Sequence, residues 1–436
     1  MKFGGTSVGD VAAFERVIKV VSSQKAKKPV VVTSAMTGVT DALLAAFDIA
    51  KTGDASTAFK TLGPHFDRHF AVTENFLPPS GGNPFLTEYN YAKEELEDLL
   101  TRAQRRSLPL QMLRDAVVSY GEQLSSRLLT EVLRSEGINA RHVDARRLIV
   151  TDDEYGSAQP IWEETENLVQ LELQSLIDGN EVPVMGGFIA ANRGGETTTL
   201  GRGGSDYSAA LIAAALRAAE LQIWTDVTGV MTCDPRICSD ARTIPILSYE
   251  EAAELAYFGA KVLHPKTIKP AVDHGIPVRV CNTFEPEAIG TMVVGESGEV
   301  PNKIKSIAHK KGITILRITS ARMLGSYGFM SALFQVFERY RTSIDVISTS
   351  EVSVALTLDD AAGLDQPAQD RPLLHGVRET GHEDVGHGGI QASGPRSDVS
   401  RAHPAASLGA SAQRRRRPRH HPGAGLGALL PPRRVA

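Results

Sequence analysis

Cysteine is scarce in this chain. Cys233, Cys238 and Cys281 are all there are in 436 residues, too few for a disulfide framework and without zinc-ligand spacing, so a reducing cytoplasm is the expected setting. No apolar run approaches the roughly 18 residues that cross a bilayer, and the opening "MKFGGTSVGD" does not resemble a secretory signal. A membrane partner is therefore not expected. There is no GxxxxGK[ST] phosphate loop. His65 and His69 in "PHFDRHF" have the i, i+4 spacing of metal ligands. The HExxH glutamate is missing, however, and Phe66 and Phe70 suggest a packed helix, so no protein-held metal site is expected. Aromatic residues stop at Tyr340 and lysines at Lys311. From Ala361 onward eleven arginines face six acidic residues, while the remainder carries 36 basic and 45 acidic groups. A body that acidic excludes a nucleic-acid binder.

What is present up to about residue 290 is one repeated pattern: a short β-branched run, a small polar turn, then an amphipathic helix. Strands are expected at Val30–Val32, Val182–Met185, Leu221–Trp224 and Val278–Cys281. Alternation of this kind predicts an α/β fold with a mostly parallel sheet covered on both faces, with ligands beyond the carboxyl ends of the strands. A second pattern begins near Ile304. "IKSIAHKKGITILRITSA" reads as a strand, "GSYGFMSALFQVFERYRT" as a helix and "SIDVISTSEVSVALTLDD" as a strand pair, the βαββ half of a small α+β module. From about Ala361 the chain is Ala, Gly, Pro, Arg, His and Ser, ending in "SAQRRRRPRHHPGAG". That is the residue set of GC-rich DNA read out of frame, and a disordered or frameshifted segment is expected over 361–436.

Two glycine-rich turns precede helices. "KFGGTSVGD" sets Lys2 before Gly4, Gly5, Thr6 and Ser7, and "TTTLGRGGSDYSAALIAAAL" sets Arg202 and Asp206 at a helix start. Backbone without Cβ admits close ligand approach, helix starts attract anions, and a guanidinium forks onto a carboxylate or phosphate. Lys261 in "FGAKVLHPKTI" is a second lysine between a small turn and a helix. Together they suggest a pocket for a polyphosphate and a second anion.

The motifs "KFGGTSV", "YGEQLSSRLL", "GFIAANRGGETTTLGRGGSDYSAALIAAAL", "WTDVTGVMTCDPR" and "FGAKVLHPKTI", in this order, resemble those of the aspartate kinases in the amino-acid kinase family. The resemblance spans residues 2 to about 360. It implies a three-layer α/β/α kinase domain over 1–295, an ACT-like regulatory module over 304–360, and ATP-dependent phosphorylation of the L-aspartate β-carboxylate with Mg²⁺. Such a carboxylate needs no general base. The obstacle is charge: two unit charges at 4 Å repel by roughly 4 kcal/mol at an effective dielectric of 20. By resemblance, Lys2 would neutralise the transferring phosphoryl group, with Gly4, Gly5, Thr6 and Ser7 lining its path. Asp206 would orient Lys2 or hold Mg²⁺. Arg202 would clamp the substrate α-carboxylate, and Glu122 would meet its α-ammonium. Ser34, Ala35, Thr40, Phe188 and Ser205 would shape the substrate pocket. Trp224, Thr225, Asp226, Met231, Arg236 and Lys261 match the nucleotide positions. In lysine-sensitive relatives the effector binds the first ACT module. Its counterparts here would be Met323, Ser326, Phe329, Ser343, Asp345, Thr349, Ser350 and Glu351.

Three departures stand out. Met1 directly precedes Lys2 where the family has further strand residues, so a shortened first strand is expected. Met231 replaces a tyrosine beside the nucleotide. The region of a second ACT module, which normally completes the first and builds a homodimer, is occupied by the atypical segment. The alternatives are a kinase acting on glutamate or acetylglutamate, against which "TTTLGRGGSD" and "KVLHP" argue, and a non-catalytic or defective relic that at most binds an amino acid through its ACT module.

Overall fold

The computed structural model describes residues 1–78, 83–259, 263–296, 304–320, 323–325, 327–340, 342–358, 377–386 and 389–391. They fall into two compact units, Met1–Lys310 and Lys311–Ala436.

The first unit opens with β1 (Lys2–Phe3), α1 (Val11–Ser23) and β2 (Val31–Thr33). A helical stretch follows: α2 (Val39–Lys51), α3 (Ala55–Thr61), α4 (Gly63–Phe76), α5 (Pro84–Arg105) and α6 (Leu110–Ser135). Next come β3 (Ala140–His142), β4 (Val150–Thr151), α7 (Trp162–Asp178), β5 (Val182–Gly186), β6 (Ile189–Asn192), β7 (Thr197–Thr199), α8 (Gly204–Ala215) and β8 (Leu221–Thr225). The unit closes with β9 (Ile246–Ser248), α9 (Tyr249–Tyr257), α10 (Pro265–Asp273), β10 (Val278–Asn282) and β11 (Thr291–Val294).

Eight strands form one sheet in the order β3-β5-β2-β1-β8-β10-β11-β9. The β10–β11 pair is antiparallel and the other pairs are parallel. Side chains alternate across a strand, and here both faces are buried. Val31, Val184, Trp224 and Cys281 enter the core under α1, α2, α5 and α6. Their neighbours Val32, Met185, Ile223 and Val280 enter a second core with α7, α8 and α10. That is why these strands read as unbroken apolar runs. Helix starts follow local chemistry: the Asp10 carboxylate accepts from the Ala13 N–H at 2.8 Å, and Ser248 with Glu251 forms a capping box at α9. A second, three-stranded sheet, β4-β6-β7, was not legible as such; its strands are two to four residues long.

The second unit contains all but the first two residues of β12 (His309–Thr319), with α11 (Phe329–Arg339), β13 (Ile347–Thr349), β14 (Ser353–Leu358), β15 (Val377–Gly386) and β16 (Gly389–Gln391), in the sheet order β13-β14-β12-β15-β16. Leu333 and Phe337 of α11 pack on Leu316, Ile318, Val354, Leu356 and Leu358, so the alternation in "VSVALTL" marks a sheet with one buried face. Within 361–436, where a disordered or frameshifted segment is expected, residues 377–386 and 389–391 form β15 and β16. Strand β12 has β14 on one side and β15 on the other; the second edge offers ladder hydrogen bonds to a chain that brings no apolar pattern of its own. The rest of 361–436 lies outside the described residues.

Candidate active site

Lys2 and Asp206 are brought together from distant parts of the chain. Lys2 lies on β1, between β2 and β8, so its side chain leaves the middle of the sheet. Asp206 lies in the first turn of α8, where a carboxylate is favoured by the unpaired N–H groups and the helix dipole. The two meet at 2.7 Å, their side chains 11% and 17% exposed. The rest of the first motif is fixed around them. The Gly4 N–H donates to the Trp224 carbonyl at 3.0 Å, the buried Ser7 hydroxyl is 2.6 Å from Thr283 Oγ1, and Thr6 is left exposed.

Glu122 approaches the same region from α6. Its carboxylate is 3% exposed, and Oε2 has no hydrogen-bond partner. Burial pushes its pKa up to about 8; hydrogen bonds from the Ala35 main chain and its own, with the charge of Lys2, pull the other way. The approach requires glycine at the end of β5, because a Cβ on Gly186 would lie 2.9 Å from Glu122 Cβ and 3.0 Å from its carbonyl oxygen. A buried carboxylate with a bare oxygen is costly unless a cation joins it.

Two substrate-pocket candidates touch these elements directly, Ser34 at β1 and Ala35 at Glu122. The Ser34 N–H donates to the Phe3 carbonyl at 3.0 Å, Ala35 is buried, and Thr40 stands in the first turn of α2. Phe188 has a left-handed backbone, φ 65°; its N–H donates to Ser208 Oγ at 2.9 Å and its carbonyl accepts from Leu200 at 2.9 Å. Ser205 is nearly buried. Arg202, four residues before Asp206, is exposed and forms no ion pair among the described residues.

The nucleotide candidates are less uniform. The Trp224 ring is 3% exposed, stacks on Phe3 at 6.0 Å and donates from Nε1 to Gln222 at 3.1 Å. It is part of the core, and Trp224 faces the Gly4 turn through its carbonyl alone. Thr225 Oγ1 donates to Asp226 Oδ1 at 3.1 Å, and Asp226 is exposed. Arg236 pairs with Asp234 at 2.6 Å, a bond that holds the Asp234 carboxyl down at about 2. Met231 is half-buried. Lys261 lies outside the described residues.

The contacts of Arg68 escaped the sequence reading. Arg68 Nη2 donates to the Thr37 carbonyl at 2.7 Å and lies 2.8 Å from His65 Nδ1, bracing the 34–40 turn from α4. His69 is buried, its Nδ1 2.7 Å from the His65 carbonyl, and burial lowers its pKa to about 4. With Arg68 against His65, this helix face is a packed one. No cluster of three or more metal-ligating side chains occurs among the described residues.

Of the effector candidates, Met323 and Phe329 pack against the core of the second unit. The Asp345 N–H donates to Thr357 at 2.9 Å, and the Ser350 hydroxyl is 2.7 Å from that of Ser353. Ser343, Thr349 and Glu351 are exposed, and Ser326 lies outside the described residues.

Residues 1–282 match the model of the amino acid kinase family. The lysine-sensitive aspartokinase 3 of Escherichia coli is 40% identical over 363 residues, 82% of this chain and 77% of that enzyme. The chain belongs to the amino acid kinase family. Within this family it stands with the aspartokinases in structure as well. It superposes on E. coli aspartokinase III in complex with aspartate and ADP (R-state) with a TM-score of 0.72 at 38% identity, covering 87% of this chain and 84% of that one. For the same enzyme with lysine and aspartate (T-state) the TM-score is 0.74 at 37% identity, covering 89% and 86%. Among the described residues no helix is long and apolar enough to cross a membrane.

Proposed function

We propose that this chain is an aspartate kinase, transferring the γ-phosphoryl group of ATP to the β-carboxylate of L-aspartate to give 4-phospho-L-aspartate, the first step toward lysine, threonine and methionine. The observation that carries the assignment of roles is the buried Glu122 carboxylate with a bare oxygen, close enough to the Lys2–Asp206 pair to feel the lysine charge. An α-ammonium completes Glu122, and Arg202 takes the α-carboxylate in a two-point grip. The β-carboxylate is thereby left facing Lys2. Asp206 holds the lysine, so that Nζ is aimed before ATP arrives; positioning and charge stabilisation are the main routes available to phosphoryl transfer. The β-carboxylate attacks phosphorus as the bond to the β,γ-bridging oxygen breaks, and ADP leaves with that electron pair.

The donor set fits an ion delivered with the nucleotide. Mg²⁺ is commonly held by one or two carboxylates together with substrate phosphates, and the exposed Asp226 beside the Gly4 turn's partner strand can serve. When bound, Mg²⁺ supplies neutralisation of phosphate charge. Asp206, already committed to Lys2, orients the lysine.

The ACT-like half-module of the second unit is the place for an amino-acid effector, with lysine as the candidate and Asp345 and Glu351 as partners for its ammonium. A homodimer is the assembly in which that site would be completed. The decisive experiment is aspartate-dependent ADP release by the purified full-length chain, with glutamate and N-acetylglutamate as parallel substrates and lysine as inhibitor. Turnover with aspartate alone supports the assignment. Turnover with glutamate, or none with any substrate, removes it.

A further inference from the structure

Asp115 is the buried acid that the mechanism above leaves unused. It lies on α6, seven residues and thus two turns before Glu122, and is 0% exposed. Burying a carboxylate is expensive unless hydrogen bonds compensate. Here the compensation falls on one oxygen and comes from two separate pieces of backbone: Oδ2 accepts from the Gly156 N–H at 2.8 Å and from the Thr199 N–H at 2.8 Å, while Oδ1 has no hydrogen-bond partner. Those pieces are also joined to each other, the Ala158 N–H donating to the Thr199 carbonyl at 2.9 Å.

Thr199 ends β7, and Leu200, Gly201 and Arg202 follow it directly. The Leu200 N–H is anchored on the Phe188 carbonyl. Gly201 has φ 76°, and a Cβ there would lie 3.1 Å from the Gly156 carbonyl oxygen. The turn that presents Arg202 is therefore built directly on the Gly156 loop, and both rest on one carboxylate of the helix that carries Glu122. Burial pushes the Asp115 pKa up, while the hydrogen bonds from Gly156 and Thr199 pull it back.

We propose that Asp115 is a positioning residue for substrate recognition: by tying Gly156 and Thr199 to α6, it fixes the separation between Arg202 and Glu122 and so sets the span between the grips on the α-carboxylate and the α-ammonium. The proposal rests on the assignment of those two grips given above. Asp115 touches neither substrate nor phosphate. It acts through backbone, and what it needs is an oxygen acceptor at that point rather than a negative charge.

The test is steady-state kinetics on the full chain for Asp115→Ala, Asp115→Asn and Asp115→Glu, with both substrates varied. Asp115→Ala should raise the aspartate KM about tenfold or more while the ATP KM stays within about twofold, since misplacing a recognition group acts on the ligand it holds. Asp115→Asn, whose amide oxygen can accept from both N–H groups, should return the aspartate KM to within about threefold of the wild type. In an Arg202→Ala background, Asp115→Ala should add little, the signature of two residues acting through one another. If Asp115→Ala does not fold, Asp115→Glu decides: moving the acceptor out by one methylene should raise the aspartate KM alone. An unchanged aspartate KM in a folded Ala or Glu variant, an equal rise in both KM values, full additivity with Arg202→Ala, or failure of Asn to rescue overturns the proposal. The wild-type rate with aspartate is read first. Its absence speaks against the proposed function, whereas a working wild type with indifferent variants speaks against Asp115 alone.

Discussion

The two ends of the site are prepared differently. At the phosphoryl end the charges are already matched: Lys2 and Asp206 form a largely buried pair at 2.7 Å, and the glycine turn is bonded to its neighbours. At the amino-acid end they are unmatched: Glu122 is buried with a bare oxygen, and Arg202 stands exposed without an ionic partner among the described residues. A preformed pair costs no reorganisation when charge builds up in the transition state. Unmatched groups instead gain most when the right ligand supplies their counter-ions. On the proposed roles, the phosphoryl end would govern rate and the amino-acid end selection.

The comparison is broken most severely at Lys2. Lys2→Met should lower kcat about 10³-fold with little change in the aspartate KM, measured by ADP release on a variant whose circular dichroism matches the wild type; a KM effect of that size instead would merge the two ends. Next in size is Arg202→Ala, which should raise the aspartate KM about 100-fold by removing a two-point charged grip and leave the ATP KM nearly untouched. Glu122 sharpens the contrast through pH. Its carboxyl, raised to about 8, is neutral in the free enzyme near pH 7, so binding an ammonium releases a proton. The aspartate KM should fall as pH rises toward about 8 and then level off, while Glu122→Gln should show a flat profile that departs from the wild type increasingly above pH 7. For stability the sign reverses. A carboxyl whose pKa is higher in the fold than in the unfolded chain has its full stabilising effect below the unfolded value and loses it as pH rises through the folded one. Glu122→Gln should therefore melt higher than the wild type near pH 8, in thermal scans without ligand. The smallest effect is Gly186→Ala, whose Cβ meets Glu122 backbone: a loss of about 1–3 kcal/mol, seen as a lower midpoint in urea.

Much of the sheet was legible because strands buried on both faces advertise themselves. "PVVV" and "EVPVMGG" placed β2 and β5 to within a residue. Lys2, Arg202 and Asp206 stood out as candidates because glycine-rich turns surround each charge, whereas Glu122 became one only through the family resemblance. Asp115 was not, because an acid on a long helix looks solvated until the folded chain shows backbone amides of Gly156 and Thr199 aimed at it. The Trp224 ring misled for a related reason: its motif position speaks for the main chain, whereas side-chain alternation along β8 sends the indole into the core. Strands β15 and β16 could not be read at all, since pairing at an open edge asks for hydrogen-bonding backbone rather than an apolar pattern.

The bare oxygen of Glu122 also bears on imposters. A dicarboxylate of the same length but without the amine, such as succinate, leaves Glu122 with nothing to neutralise it; near neutrality the side chain can keep its proton and tolerate the guest, but in mildly alkaline solution it cannot. Discrimination against such molecules should tighten as the medium becomes more basic, making the enzyme most easily fooled in acid.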